Sequence, residues 1–352
     1  VAQNLVSEDF KDAFVKELRE DYVRVREAHA GRRAQTKWLT LQQARENKLA
    51  IDWDNYTPPV PNDEGLQIFD DMPLEFLVPY IDWTPFFHTW ELRGSYPKIF
   101  DDAEKGKEAK KLFADAQKML AQIIDERWLK ARGVIGLFPA NSVNEDDVEV
   151  YTDNTRSNVR MTLNHLRQQT ERPPGKPNRC VTDFVAPKET GKQDYVGAFA
   201  VGIHGAEEKA IEFDKDHDDY HSIMIKALAD RLAEAFAEHM HDRVRHVNWG
   251  YDKHPEGRDW TPCRGIDDKT FDNSKLVKED YTGIRPAPGY PACPEHTEKD
   301  KLWQLLDADK NAGISLTESK AMWPAAAVSG WYFSHPQSSY FAVGKINRDQ
   351  VE

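Results

Sequence analysis

The sequence predicts an α+β fold. Residues 217–247 carry a long helical stripe: Leu228, Leu232, Phe236 and Met240 recur every four residues, and Ile225 and Val244 extend it. The run Gly133-Val134-Ile135-Gly136-Leu137-Phe138-Pro139 is short, apolar and bounded by glycine and proline, the signal of a buried strand. Helix and strand signals mix without regular alternation and without an internal repeat, which argues against a doubly wound sheet.

Residues 5–30 predict a charged amphipathic helix, with Leu5, Phe10, Phe14, Leu18, Tyr22 and Val25 at helical spacing. Ser7 is its candidate N-cap, and Glu8 and Asp9 suit the positive end of the helix dipole. Arg32 to Lys37 reads as a basic connector, and Pro58, Pro59 and Pro61 make an extended loop reaching Asp63. A second helix is predicted over 104–130, with Leu112, Ala116, Met119, Leu120 and Ile123 on one face. Further strand candidates are Val148–Tyr151, Val181–Val185 and Tyr195–Val201, the last with small residues that allow tight packing. The stretch 251–282, rich in Asp, Lys, Pro and Gly, reads as an exposed excursion; Ala326–Trp331 and Tyr340–Ile346 read as late strands.

Composition removes several function classes. The chain has 352 residues, 39% of them apolar, enough for one large domain or two smaller ones. Charged residues reach 30% and no apolar run approaches membrane-spanning length, so no membrane partner is expected. A net charge of -13 disfavours non-specific nucleic-acid binding. Cys180, Cys263 and Cys293 are far apart and form no CxxC pair, which suits a reducing, cytoplasmic setting. The chain begins Val-Ala-Gln-Asn-Leu, without Met, and reads as a piece of a longer protein.

The familiar enzyme motifs are missing. No GxGxxG follows a strand, and there is no GxxxxGK[ST], HExxH or GxSxG. Asp307 to Glu318 approaches a calcium loop but puts Ala312 where the sharp turn needs glycine, so it reads as a turn and helix start.

Four constellations could carry chemistry. His217 and His221 sit one helical turn apart, as two metal ligands would, but Asp218 and Asp219 between them equally mark a helix N-terminus, and no third ligand is near. Asp230, Glu234 and Glu238 fall at i, i+4 and i+8, either as a solvated face or with one carboxylate turned into a ligand site. Asp82 stands among aromatics in Tyr80–Phe87, as a helix cap or as the partner of a cation. The fourth is the string from Arg285 to Pro294, with prolines at 286, 288, 291 and 294. Proline lacks the amide hydrogen and extends its predecessor, so this is a stiff loop with a low ordering cost on binding. Arg285 offers a fork for carboxylate or phosphate, Gly289 a close backbone approach, and Tyr290 a ring face and hydroxyl. Such loops are more often connectors, or ligands for aromatic grooves.

The string GIRPAPGYPACPEHTEK (283–299) resembles the S-adenosylmethionine-binding signature of the reactivation domains of cobalamin-dependent methionine synthases. YIDWTPFF (80–87), ARGVIGLFPAN (131–141), LRQQTE (166–171), DFVAPK (183–188), HDDY (217–220), KALADRLAEAFAE (226–238) and VSGWYFSHPQSSYFAVGKI (328–346) resemble the same family in the same order. The resemblance implies a curved, mainly antiparallel sheet with flanking helices in a single large domain, residues 40–352, behind a helical extension, residues 1–39. It implies a module that binds S-adenosylmethionine and closes over a separate cobalamin domain. There the donor's methyl group, with an electron from a flavoprotein (flavodoxin or a diflavin reductase), rescues the oxidised cofactor. By residue, it implies that Asp82 meets the donor's ammonium group, Arg285 its carboxylate, and Ala287 and Gly289 the adenosine. Tyr290 would lie by the methionyl portion, Glu234 is the family's acid on the long helix, and Tyr340 and Phe341 complete the pocket. No catalytic side chain and no metal ligand is implied, because the cobalt centre supplies the nucleophile. Asp230 and the HDDY segment become candidates for the face toward the cobalamin domain. The chain departs from the family in stopping at RDQVE, where a C-terminal helix is expected, and in a longer excursion that contains Trp260 and Cys263. Two other readings stay open: an acidic interaction domain that uses its Pro-rich loop, and a free-standing methyl-donor sensor.

Overall fold

The computed structural model describes residues 5–6, 8–33, 37–252 and 273–351. Ser7, Trp260 and Cys263 lie outside the described residues. The chain divides into two compact units, one of Val1–Leu49, Arg167–Arg179 and Gly344–Glu352, the other of Ala50–Leu166 and Cys180–Val343.

The first unit holds α1 (Glu8–Arg33) and α2 (Leu41–Glu46). The predicted first helix exists, but Phe10, Tyr22 and Val25 of its stripe are exposed. Thr40 and Gln43 cap α2 reciprocally, side chain to backbone in both directions. The segment 167–179 joins this unit through hydrogen bonds, including Leu39 N to Gln169 O and Asn178 N to Asn47 O. Asp349 accepts from Leu41 N and from the Gln169 side chain.

The second unit is built on an open antiparallel sheet of β1 (Gly65–Met72), β2 (Lys130–Val143), β3 (Asp147–Tyr151), β4 (Val159–Asn164), β5 (Asp194–His204) and β8 (Ala327–Tyr332), with β6 (Ser315–Leu316) and β7 (Met322–Trp323) as a separate short pair. The order is β4-β3-β2-β5-β8, and β1 pairs with the first half of β2. β2 is twice the length of its predicted core because its Pro139 falls opposite Tyr195 within the β5 ladder. β1 and β4 were not legible in the sequence, since β1 leaves alternate residues exposed, β4 buries Leu163 alone, and neither carries a continuous apolar run.

Helices α3 (Thr84–Thr89), α4 (Gly106–Asp125), α5 (Ala206–Lys215), α6 (Asp219–Arg243) and α7 (Glu298–Leu306) accompany this sheet. The α6 stripe is the expected one: Ile225, Leu228, Leu232, Phe236, Met240 and Val244 are all fully buried. Gly133 lets α6 come close to β2, for a Cβ there would sit 3.0 Å from the Phe236 ring. The α4 face of Leu112, Ala116, Met119, Leu120 and Ile123 is buried as its spacing requires.

Three expectations are corrected. Val181–Phe184 forms a short 3-10 turn, not a strand, because the Asp183 carboxylate accepts from Cys180 N and folds the backbone locally. Tyr340–Ile346 is extended but unpaired as a strand: its neighbour is the Pro-rich loop, which lacks the amide donors a ladder needs, and the link formed is Val343 N to Pro291 O. The predicted helix at 217–247 is interrupted, since His217 sits at φ +58 between α5 and α6 and the end of the run, Val244–Asn248, widens into a π turn. The excursion over 251–282 is tied down at both described ends, Asp252 to Arg245 and the Asn273 amide to Pro79 O.

Candidate functional site

The Pro-rich loop is fastened to the edge strand β8 through its carbonyls, the groups proline leaves intact. Ile284 and Phe333 exchange both backbone hydrogen bonds at 3.0 Å, and Trp331 N donates to Pro286 O at 2.9 Å. The loop then closes on itself, with Tyr290 N on Ala287 O, Cys293 N on Tyr290 O and Gly289 N on Cys293 O. Gly289 has φ +97, and a Cβ there would stand 2.3 Å from the His296 ring. Its glycine therefore serves the turn and the packing of His296.

Between this loop, β8, α6 and the segment at 340–341 lies a cleft of about 330 Å³. Its lining includes Glu234, Arg285, Ala287, Tyr290, Tyr340 and Phe341, drawn from three distant parts of the chain. These are six of the eight residues that the sequence singled out. Gly289 stands behind the wall rather than in it. Asp82 also stands outside the lining, where its Oδ1 accepts from Thr84 N at 2.9 Å at the start of α3.

Arg285 is the centre of a half-buried polar knot. Its Nη2 lies 2.6 Å from Glu238 Oε2, and its Nη1 donates to the Tyr281 hydroxyl at 2.9 Å. Its backbone N donates to the Tyr340 hydroxyl at 3.0 Å, which joins the loop to the cleft's aromatic side. Burial works against the arginine's charge, but Glu238 more than offsets it and the guanidinium is held firmly protonated. Burial raises the Glu238 carboxyl while Arg285 pulls it down. Burial likewise raises the phenols of Tyr281 and Tyr340, so both stay neutral while they accept from Arg285.

Sequence reasoning left Glu238 undecided and missed Tyr281, Glu279, Lys299 and Ser329. The signal for Glu238 was present: a step of four residues rotates about 40° round a helix, so a stripe of acids drifts from solvent toward the core. Asp230 and Glu234 are exposed, whereas the Glu238 side chain is only 13% exposed. Ser329 could not be found from spacing, because β8 brings it to the cleft wall only through pairing with β5.

The His217–His221 cluster is a helix start. Asp218 caps α6 by accepting from His221 N, and its other oxygen lies 2.6 Å from His221 Nδ1. Among the described residues no group of three or more His, Cys, Asp or Glu is arranged to hold a metal ion. Asp307 opens a single helical turn, Ala308–Asn311, in place of a calcium loop. Among the described residues no helix is long and apolar enough to cross a membrane.

The residues present suit a zwitterionic, partly cationic ligand. Glu234 and Glu279 face a cleft whose other walls are the rings of Tyr290, Tyr340 and Phe341, and a cation is attracted by both acids and ring faces. Arg285 offers a carboxylate partner. Ser329 Oγ on the wall is buried with no hydrogen-bond partner among the described residues. A polar ligand would satisfy such groups.

Residues 73–352 match the family described as vitamin B12 dependent methionine synthase, activation domain. Among solved structures, the crystal structure of the MetH reactivation domain bound to AdoHcy is similar, with a TM-score of 0.83 and 54% sequence identity over 90% of this chain and 92% of that one. With that extent of agreement in sequence and fold, the chain belongs to the activation-domain family of vitamin B12-dependent methionine synthases.

Proposed function

We propose that the cleft binds S-adenosylmethionine and that the chain, residues 40–352 in particular, presents the donor's methyl group to cobalamin carried by a separate domain of the same protein. The observation that carries this reading is the convergence of Glu234, Arg285, Ala287, Tyr290, Tyr340 and Phe341 on one cleft, in a chain 54% identical to a domain crystallised with AdoHcy. Arg285 takes the carboxylate, with its approach set by Glu238 and Tyr281. The rings of Tyr290, Tyr340 and Phe341 shelter the sulfonium, and the acids Glu234 and Glu279 oppose its charge. Pro286, Ala287 and Pro288 form a stiff wall for the adenosine. The role of Asp82 toward the ammonium group rests on the resemblance alone.

Cobalamin supplies the cobalt-centred nucleophile when its domain is docked. This chain's own contribution is positional: it holds the methyl group outward and restricts water on the remaining sides. A flavoprotein electron donor, a docking face near Asp230 and a cytoplasmic setting belong to the same proposal. The chain by itself is not expected to make methionine.

Calorimetric titration with S-adenosylmethionine, on the parent and on Arg285→Ala, tests the reading. Loss of a charge-assisted contact costs about 1.5–3 kcal/mol, roughly a tenfold or greater loss of affinity. A folded parent that gives no heat and no competition would remove the proposal.

A further inference from the structure

A polar stripe continues past Glu238 where α6 meets the Pro-rich loop. His241 and Arg245 follow it at i+3 and i+7, Arg245 in the π turn that ends the helix. Such π turns are found mostly at functional sites. The Arg245 side chain is only 3% exposed and pairs with Asp242 at 2.8 Å and Asp252 at 3.1 Å. Its Nε has no hydrogen-bond partner among the described residues. A buried guanidinium with an orphaned N–H is a costly way to neutralise two carboxylates. A further contact is with Tyr281: Arg245 Cζ lies over that ring, 4.3 Å from its centroid. His241 meets the same ring at 5.1 Å and near a right angle. Arg245 thus touches both ends of the excursion, Asp252 before it and Tyr281 after it.

Tyr281 needs this support. It lies outside every helix and strand, and no backbone hydrogen bond holds it among the described residues. Its hydroxyl accepts from Arg285 Nη1 at 2.9 Å, while Glu238 takes Nη2 at 2.6 Å. His241 Nδ1 stands farther from Nη1, at 3.5 Å. The aim of the Arg285 guanidinium therefore rests on two short contacts. Glu238 is fixed by its helix, and Tyr281 by Arg245.

We propose that Arg245 is a positioning residue for the cleft's arginine: it fixes the Tyr281 ring, and the Tyr281 hydroxyl fixes Arg285. This rests on the reading that the cleft takes S-adenosylmethionine. Arg245 is buried and absent from the cleft lining, so it acts only through its neighbours. Arg285 has the rotamer freedom of a long side chain, and freedom removed in advance is not lost again on binding. A guanidinium held at both Nη atoms presents its remaining N–H groups in one direction. With Tyr281 released, it swings about the Glu238 contact. A role confined to neutralising Asp242 and Asp252 would touch stability and leave ligand affinity alone.

The test is a double-mutant cycle read by calorimetric titration of the chain with S-adenosylmethionine, with thermal unfolding to verify each variant's fold. Arg245→Lys keeps a cation for Asp242 and Asp252 but removes the flat guanidinium over the ring. Tyr281→Phe keeps the ring beneath Arg245 and removes only the hydroxyl. Each should weaken donor binding by about threefold to tenfold. The double variant should bind no more weakly than Tyr281→Phe alone, because the link to Arg285 is already cut. Parent-like affinity in Arg245→Lys, with or without a loss of stability, confines Arg245 to a structural role and overturns the proposal. Losses that simply add in the double variant also overturn it. Where Arg245→Lys fails to fold, Tyr281→Phe remains decisive, since parent-like affinity in it leaves Arg245 no route to Arg285. A parent that binds no donor overturns the reading of the cleft itself.

Discussion

Gly330 offers a way to move the cleft wall without substituting a residue that lines it. It lies in β8, opposite Phe199 of β5 and directly beneath the Pro-rich loop. A Cβ placed there would stand 2.8 Å from Pro286 O and 2.9 Å from the Phe199 ring, where ordinary contacts are 3.4–4 Å. The carbonyl is backbone and is held by Trp331 N at 2.9 Å, so Gly330→Ala must push the loop or the strand by about half an ångström. Overpacking of this kind costs about 1–3 kcal/mol. Stretching the Trp331–Pro286 hydrogen bond adds up to about 1 kcal/mol. The lower entropy of an unfolded alanine offsets about 0.4–1 kcal/mol, because the backbone at Gly330 is not in the left-handed region. The expected net loss is about 1–3 kcal/mol of stability.

Function should suffer beyond stability. Arg285 and Ala287 flank Pro286, so a displaced carbonyl carries the loop side of the cleft with it. Urea denaturation reads the stability, and calorimetric titration of the folded variant with S-adenosylmethionine reads the site, with at least a severalfold weakening expected. Gly202→Ala is the control, since its Cβ would meet the Ile314 side chain at 3.1 Å and no backbone. Parent-like stability and donor affinity in Gly330→Ala would show that the loop is not seated on β8 as described.

Two further outcomes are expected. Leu232→Ala removes a fully buried side chain from the centre of the α6 stripe and should cost about 2–5 kcal/mol in urea denaturation; a change under about 1 kcal/mol would contradict the packing of α6 on the sheet. Burial holds His165 neutral, with its pKa lowered to about 3. The unfolded chain therefore takes up that proton first as pH falls, and His165's share of stability, full above pH 7, is lost below the unfolded value near 6.5. At pH 5 the loss is at most about 2 kcal/mol. Asp194 works the other way, because burial raises its pKa to about 7 and its contribution, present at low pH, fades as pH rises through that value. The informative quantity is thus the parent-minus-variant difference for His165→Phe, which should shrink between pH 7.5 and pH 5; parallel curves would refute it.

How much of this was legible in the chain differs by element. The α6 stripe was read correctly because a wide apolar face at constant period is a local signal, and all six of its residues are fully buried. β5 was legible for the same reason, as a run buried along nearly its whole length. β1 escaped because an edge strand with one solvated face has no such run, and the turn at Val181–Phe184 was mistaken for a strand because its β-branched residues masked the Asp183 cap. In the site, Arg285, Ala287 and Tyr290 were found within one motif, and Glu234, Tyr340 and Phe341 through the family resemblance, while their polar supports were not. Glu238 meets Arg285 through the docking of α6 against the loop, which no spacing encodes, while Tyr281 lies four residues before Arg285 in a segment without periodicity.

The choice of a proline-rich loop over a glycine-rich one has a physical sense here. A glycine-rich phosphate cradle works by presenting backbone N–H groups to an anion. The ligand proposed here has no phosphate, and its reacting atom bears positive charge, so exposed N–H donors near it would oppose binding. Proline removes those donors, leaves carbonyls free to anchor the wall on β8, and fixes the backbone in advance. The carboxylate end is then left to a single side chain, Arg285. A lone arginine beside a cation would be repulsive unless its charge were balanced nearby. The Glu238 carboxylate at 2.6 Å provides that balance from the core side, while Glu234 and Glu279 act from the cleft. On this reasoning the loop and the acidic turn of α6 are one device: the loop excludes backbone dipoles from the sulfonium, and the helix balances the charge of Arg285. Each is therefore of limited use without the other.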